Sequence, residues 1–252
     1  MGSFKKIIRN IITEAGIKNE RQEMGIITAI NIIANKNNPI TVITDTNIIK
    51  NVIYASKKEG LNDLGQEPYT DIVFTLSNGK NINISAKGVS AASLAGAGVT
   101  GLNSLVPNLL KKVLEKALNT LIKKGYKKGD DIPDIYCKIP DEQKIIILTG
   151  NEKMGGPIDY MYQGPMDVKA QIDTKQNTVK LNGSLIKVNQ YSKQHNLYIR
   201  IRRRRNDQTF DPNLKDKYGY PAIFGKSPSK GDSNRRIVIT DHVPNSAILI
   251  DI

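Results

Sequence analysis

Asp71 and a Ser85-Ala86-Lys87 run stand on either side of an Asn78-Gly79 pair, within two stretches of alternating β-branched residues. Asn-Gly between such stretches predicts a hairpin, Asp71 to Leu76 against Lys80 to Ala86. Asp71 precedes the turn by about seven residues and Lys87 follows it by about eight, so antiparallel pairing carries both to the same end of the ribbon. Ser85 and Lys87, two apart, point to one face. A carboxylate and an ammonium that converge in this way suit phosphodiester hydrolysis. There a carboxylate holds a divalent metal and a lysine polarises or deprotonates the attacking water.

The elements around the hairpin must supply the remaining groups. A helix is expected from Asn19 to Ala34, with Met24, Ile27, Ile30 and Ala34 as its apolar stripe. Glu20 and Glu23 lie one turn before Ile27 on that stripe, where a carboxylate is costly unless paired or metal-bound. Their place in the first turn, where the helix dipole favours acids, is the other reading. Thr41 to Thr44 reads as a strand, Thr46 to Lys58 as a helix, Pro107 to Lys124 as a strongly amphipathic helix and Lys144 to Leu148 as a buried strand. Phe4, Ile7, Ile8, Ile11 and Ile12 recur at helical spacing, predicting a short N-terminal amphipathic helix that packs on its own domain. Between Gly88 and Gly101 nearly every residue is small, and a literal G-x-G-x-x-G spans Gly96 to Gly101. Its preceding strand ends about nine residues too early for a dinucleotide turn, and Pro107 and Glu115 do not fit the downstream pattern.

On these residues the chain resembles the PD-(D/E)XK nuclease superfamily, whose pattern is an aspartate on one hairpin strand and acid-x-lysine on the next. The resemblance implies a restriction-endonuclease-like α/β core: a mixed sheet flanked by helices, covering roughly the first half of the chain. It implies catalytic roles for Asp71, Ser85, Lys87 and Glu23, and a Mg2+ ion held by Asp71, Glu23 and the Ala86 carbonyl. Ser85 takes the place of the usual acid. Relatives with Ser-x-Lys recover that acid from a helix about a dozen residues on, but here those positions are Val99 and Thr100. Glu20, Glu23, Asp63 and Glu67 remain the candidates to complete the site.

The chain has 252 residues and a formal net charge of +13. From Lys187 to Thr240 there are thirteen basic and four acidic residues, a field that attracts polyanions, of which nucleic acid is the commonest. Arg200, Arg202, Arg203, Arg204 and Arg205 are its densest part. In a strand, Arg200, Arg202 and Arg204 share a face at a spacing of about 6.6 Å, near that of phosphates along a DNA strand. Lys226, Lys230, Arg235 and Arg236 extend this strip. A solvated edge strand guarded by its charges is the plainer reading.

One cysteine, Cys137, excludes an intramolecular disulfide and a multi-cysteine zinc site, and two distant histidines leave few soft-metal ligands. No apolar run is long enough to span a membrane. Gly-Pro punctuation after Gly150 marks a domain boundary. The expected organisation is therefore a nuclease-like α/β core over 1–150, followed by a β-rich basic part over 151–252. Strands are predicted at Thr178 to Leu181, Ser184 to Val188, Leu197 to Arg202, Arg236 to Thr240 and Ala247 to Ile250. The expected activity is Mg2+-dependent cleavage of DNA in a host-cell cytoplasm, by a phage-encoded protein. The alternative is a non-enzymatic virion or assembly protein, a homo-oligomer or virion subunit that retains the fold to contact DNA or neighbouring subunits.

Overall fold

In the computed structural model, residues 18–89, 98–204, 206–225 and 235–252 are described. The Asn-Gly hairpin is present as β3 (Ile72–Leu76) and β4 (Asn81–Gly88), antiparallel with Ile72 opposite Ile84 and Thr75 opposite Asn81. Gly79 takes the positive φ of 82° that the turn demands. The fold is mixed α/β, and the chain divides into two units, each discontinuous in sequence. The first comprises residues 1–91 and 151–191, the second 92–150 and 192–252. The single boundary expected near Gly150 is thus one of several points where the chain passes from unit to unit.

In the first unit an eight-stranded sheet runs in the order β7-β8-β1-β2-β3-β4-β6-β9. Its strands are β1 (Ile40–Ile43), β2 (Ile48–Lys57), β3, β4, β6 (Tyr160–Gly164), β7 (Ala170–Asp173), β8 (Thr178–Leu181) and β9 (Ser184–Lys187). β1 with β8 and β4 with β6 are parallel, and the other pairs are antiparallel. Helix α1 (Lys18–Asn31) turns Ile26, Ile27 and Ile30 into a core with Val52, Ala55, Ile72, Phe74 and Ile84. Asn31 fastens the helix to the sheet. Its amide donates to Ala55 O at 2.7 Å and its side-chain oxygen accepts from Ala55 N at 2.9 Å, satisfying backbone groups of β2.

β2 corrects the helix expected over Thr46 to Lys58. Asn51 has a φ of 63° and the pairing with β3 slips between Val52 and Tyr54, a bulge that inserts one residue into the alternation. Ile49, Val52 and Ala55 are the buried members, so burial recurs every third residue and imitates a helical stripe.

The second unit holds a four-stranded sheet in the order β11-β10-β5-β12, formed by β5 (Ile135–Lys138), β10 (Tyr198–Arg203), β11 (Arg235–Thr240) and β12 (Ile248–Ile250). Its helices are α2 (Gly98–Leu105), α3 (Pro107–Lys123) and α4 (Asp141–Thr149). Pro107 opens α3, where its missing N–H costs nothing, and Leu110, Val113, Leu114, Ala117 and Leu121 form its buried stripe. α4 replaces the strand expected at Lys144 to Leu148. An unbroken apolar run has no period to separate strand from helix, and Asp141 and Glu142 in the first turn favour the helix through its dipole. Helix α5 (Val188–Gln194) follows β9. The N-terminal amphipathic helix, most of the small-residue run, Arg205, Lys226 and Lys230 lie outside the described residues.

Candidate active site and nucleic-acid interface

Asp71 sits just before β3, at the end of the hairpin away from the turn. The segment leading to it is fixed from behind: Tyr69 N–H donates to Met154 O at 2.8 Å. Gly155, at a φ of 78°, lies so close to Pro68 that an added Cβ would come within 2.5 Å of the proline's own Cβ. A side chain there would push the segment away, so glycine is required.

Three donors converge on one oxygen, Asp71 Oδ2. Ser85 Oγ donates at 3.0 Å, Ala86 N–H at 2.6 Å and the Lys87 ammonium at 3.3 Å. Charge-assisted bonds of this kind are among the stronger ones in proteins. The hydrogen bonds that the described residues give to the Asp71 carboxylate all reach this one oxygen. Ile84 O accepts from Asp71 N–H at 2.9 Å. Ala86, two residues on, presents the same edge of β4 past the start of β3, so its carbonyl shares the edge from which its amide reaches Asp71.

Glu23 enters from α1. Burial first, and then the charge of Asp71, push its carboxyl above the usual carboxylate range, while Lys57 and Lys87 pull it back. Glu23 and Asp71 are therefore close enough to repel one another across the site. Lys57, the last residue of β2, places its ammonium 3.3 Å from Glu23 Oε2. Glu20's side chain lies outside the described residues, and Asp63 and Glu67 are exposed in the loop between β2 and β3.

Two residues here carry no mark in the sequence. Gln22, almost fully buried, donates its amide to Lys87 O at 3.2 Å, Gly164 O at 2.8 Å and Pro165 O at 3.3 Å. It ties α1, one residue before Glu23, to the ends of β4 and β6. Its acceptors are backbone carbonyls distant in the chain, so no spacing reveals it. Lys57 escapes notice because a helix at 46–58 does not bring it to the end of the hairpin.

The donor set suits a hard divalent cation in part. Glu23 and Asp71 supply two carboxylates whose mutual repulsion a cation relieves, and Ala86 supplies a carbonyl. Ser85 adds no carboxylate to this set and donates its hydroxyl to Asp71. Among the described residues there is no group of three or more His, Cys, Asp or Glu side chains placed to hold a metal.

In the second unit the arginines divide by partner. Arg200 gives Nε and Nη2 to Asp134 Oδ2 at 2.8 and 2.6 Å and lies over the Tyr136 ring at 5.6 Å. Arg203 faces the other side of β10 and pairs with Asp131 at 2.8 Å. Arg204 lies past the end of β10, so the shared face of Arg200, Arg202 and Arg204 is reduced to its first two members. Arg235 does not belong to a nucleic-acid surface at all. Its side chain is 0% exposed and meets Asp216, itself 2% exposed, at 2.7 Å. Asp216 in turn accepts from Tyr218 N–H at 2.8 Å and Tyr220 N–H at 3.0 Å, so the ion pair builds the turn beneath those tyrosines. Arg202 and Arg236 remain as an outward-facing pair, directly opposite one another on β10 and β11. Like charges in that relation repel and are relieved by an anion.

Comparison with family models, with curated proteins and with solved structures returns no match for this chain.

Proposed function

We propose that this protein is a metal-dependent phosphodiesterase acting on DNA, with a centre of PD-(D/E)XK type formed by Asp71, Glu23, the Ala86 carbonyl and Lys87. The observation that carries the reading is the convergence of Ser85, Ala86 and Lys87 on Asp71 Oδ2, with Glu23 repelled by the same aspartate. A bound Mg2+ ion would supply Lewis-acid polarisation of the phosphate and of a water. Lys87, anchored by Asp71 and by its place on β4, presents an ammonium that stabilises negative charge on an approaching phosphate oxygen and orients the attacking water. Asp71 and Glu23 would hold the cation, and Gln22 keeps Glu23 and Lys87 in fixed relation. The Arg202 and Arg236 pair suits the phosphate backbone and supplies affinity without reading sequence.

The test is Mg2+-dependent cleavage of linear, nicked and branched duplexes. Lys87→Ala is expected to reduce turnover at least about 100-fold while DNA affinity stays within about twofold of wild type. Equal loss of binding and cleavage would overturn this division of roles. One observation favours a second reading: the Ser85 hydroxyl satisfies Asp71 where a third ligand would stand. A virion or assembly protein that keeps the fold as a scaffold would show no cleavage with Mg2+, Mn2+ or Co2+, yet still bind duplex.

A further inference from the structure

The four-stranded sheet of the second unit has two unlike faces. On one, Ile135, Cys137, Ile199, Ile201, Ile237 and Ile239 are buried, and α3 packs on this sheet against β5 and β12. Burial pushes the Cys137 thiol up and Lys116 of α3 draws it back, so the helix covers this face. Alternation along the strands sends the intervening residues to the other face. There the register sets Arg202 opposite Arg236, Arg200 between Val238 and Tyr136, Tyr136 opposite Leu249, and Tyr198 between Thr240 and Lys138.

This second face has a packed floor and a charged rim. Tyr136, Val238 and Thr240 are buried, Tyr136 beneath the guanidinium of Arg200, which Asp134 holds in place. Around them Tyr198 and Arg202 are half-buried, Lys138 and Arg236 are exposed, and Leu249 is 54% exposed. Among the described residues no carboxylate forms an ion pair with Lys138, Arg202 or Arg236, whereas Arg200, Arg203 and Arg235 each have one. The Tyr198 ring stands in line with Arg200 and Arg202 on β10, at steps of about 6.6 Å.

We propose that this face binds single-stranded DNA, with backbone phosphates on Arg202, Arg236 and Lys138 and a base stacked on Tyr198. The track extends the DNA contact assigned to the arginine pair and is independent of any cation at the hairpin. Charge complementarity selects a polyanion, and width selects the single strand. Four strands about 4.8 Å apart make a face about 14 Å across, wider than the major groove of about 12 Å, so the sheet does not enter a duplex to reach its bases. On duplex it meets phosphates alone. A single strand turns its bases outward, and a base on Tyr198 leaves the neighbouring phosphates to the cations on either side, so ring and charges act together. Arg200, held over Tyr136, adds a planar guanidinium beside that ring.

Fluorescence anisotropy of the full-length protein in chelator, with a labelled oligothymidylate of about 20 nucleotides and a duplex of equal length, tests this. Wild type is expected to bind the single strand at least about tenfold more tightly than the duplex. Tyr198→Ala is expected to lose about tenfold in single-strand affinity, with duplex affinity within about twofold of wild type, and Tyr198→Phe to bind as wild type does. Lys138→Glu is expected to weaken binding of both. Thermal melting verifies the fold of each variant, and Tyr198→Leu replaces the alanine variant if that one does not melt cooperatively. Duplex affinity equal to or above single-strand affinity in wild type overturns the inference, and so does single-strand affinity unchanged in a folded Ala or Leu variant or in Lys138→Glu. The arginine pair then stands as a general phosphate contact. Binding of neither nucleic acid by wild type overturns that contact as well. Chelator removes cation-dependent cleavage from every arm, so failure here and failure of the hairpin centre are told apart.

Discussion

Ser85 does for Asp71 what an acid at the same position does not. Its hydroxyl donates to Oδ2 at 3.0 Å from an almost fully buried site, so the cation-free cluster is held by hydrogen bonds and by Lys87. A carboxylate there would face Asp71 as a like charge. Ser85→Asp is therefore expected to destabilise the cation-free protein by about 1–3 kcal/mol. Under the proposed function the same variant gains a ligand, so Mn2+ is expected to raise its melting temperature by more than it raises that of wild type, by ligand linkage. Melting curves of both proteins in chelator and in MnCl2 check this, and an equal Mn2+ response in the two would count against Asp71 as a ligand. The residues of this cluster were legible in sequence to the extent that one hairpin carries them. Asp71, Ser85 and Lys87 follow from an Asn-Gly turn and from counting. Glu23 follows from an acid placed on an apolar stripe. Gln22 and Lys57 depend on contacts between α1, β2 and β6 that no local pattern encodes.

At the scale of elements, the errors of sequence reading have two physical sources. In β2 a bulge turns a period of two into burial at every third residue, and Ile49, Val52 and Ala55 then read as one helix face. In α4 the run Ile145-Ile146-Ile147 favours a strand by β-branching, but Asp141 salt-bridges Lys144 at 2.7 Å across the first turn and the helix prevails. That contact makes a prediction about pH. Hydrogen bonding and charge from Lys144 hold the Asp141 carboxyl below its usual value of 3.8. A carboxyl with a depressed folded-state pKa adds stability above its unfolded value and loses it as pH falls through the folded one. Lys144, which also donates to His195 O at 2.9 Å, is almost fully buried and is left with an uncompensated charge when Asp141 protonates. Asp141→Asn is thus expected to lower the melting temperature at pH 6 and to converge with wild type as the pH falls below the ordinary carboxylate range. A constant difference across that range would exclude the linkage. Strands β10 and β11 likewise separate their arginines by what they meet. Arg235→Ala strands Asp216 in the interior and is expected to cost about 3–5 kcal/mol of stability. Arg202→Ala and Arg236→Ala are expected to leave the melting temperature nearly unchanged, and each to reduce the salt slope of duplex binding by about one. Fluorescence anisotropy with duplex over a series of salt concentrations measures the slope.

For the whole molecule, the net charge of +13 was readable at once, and so was its concentration toward the C-terminal half. The division of the chain was not, because it depends on which strands pair across long separations. β4 and β6 are neighbours with Ile84 opposite Tyr160 and Gly88 opposite Gly164, although the segment between them belongs to the other unit. Such a parallel pair needs a long crossover, and here that crossover includes α2, α3, β5 and α4. The consequence is testable on a fragment. Residues 1–150 look self-sufficient in a linear reading, yet they lack β6, β8 and β9, which belong to the first unit's sheet. They also lack Gly164 and Pro165, two of the three carbonyls that Gln22 satisfies. β4 then becomes an open edge beside Lys87, and Gln22 loses its principal acceptor at 2.8 Å. Fragment 1–150 is accordingly expected to show no cooperative thermal transition and no Mn2+-dependent change in melting, while the intact chain shows a cooperative transition. A cooperative melt of the fragment would mean that the hairpin and α1 form a stable sheet without β6, and that the Glu23–Lys87 geometry does not depend on the Gln22 clamp.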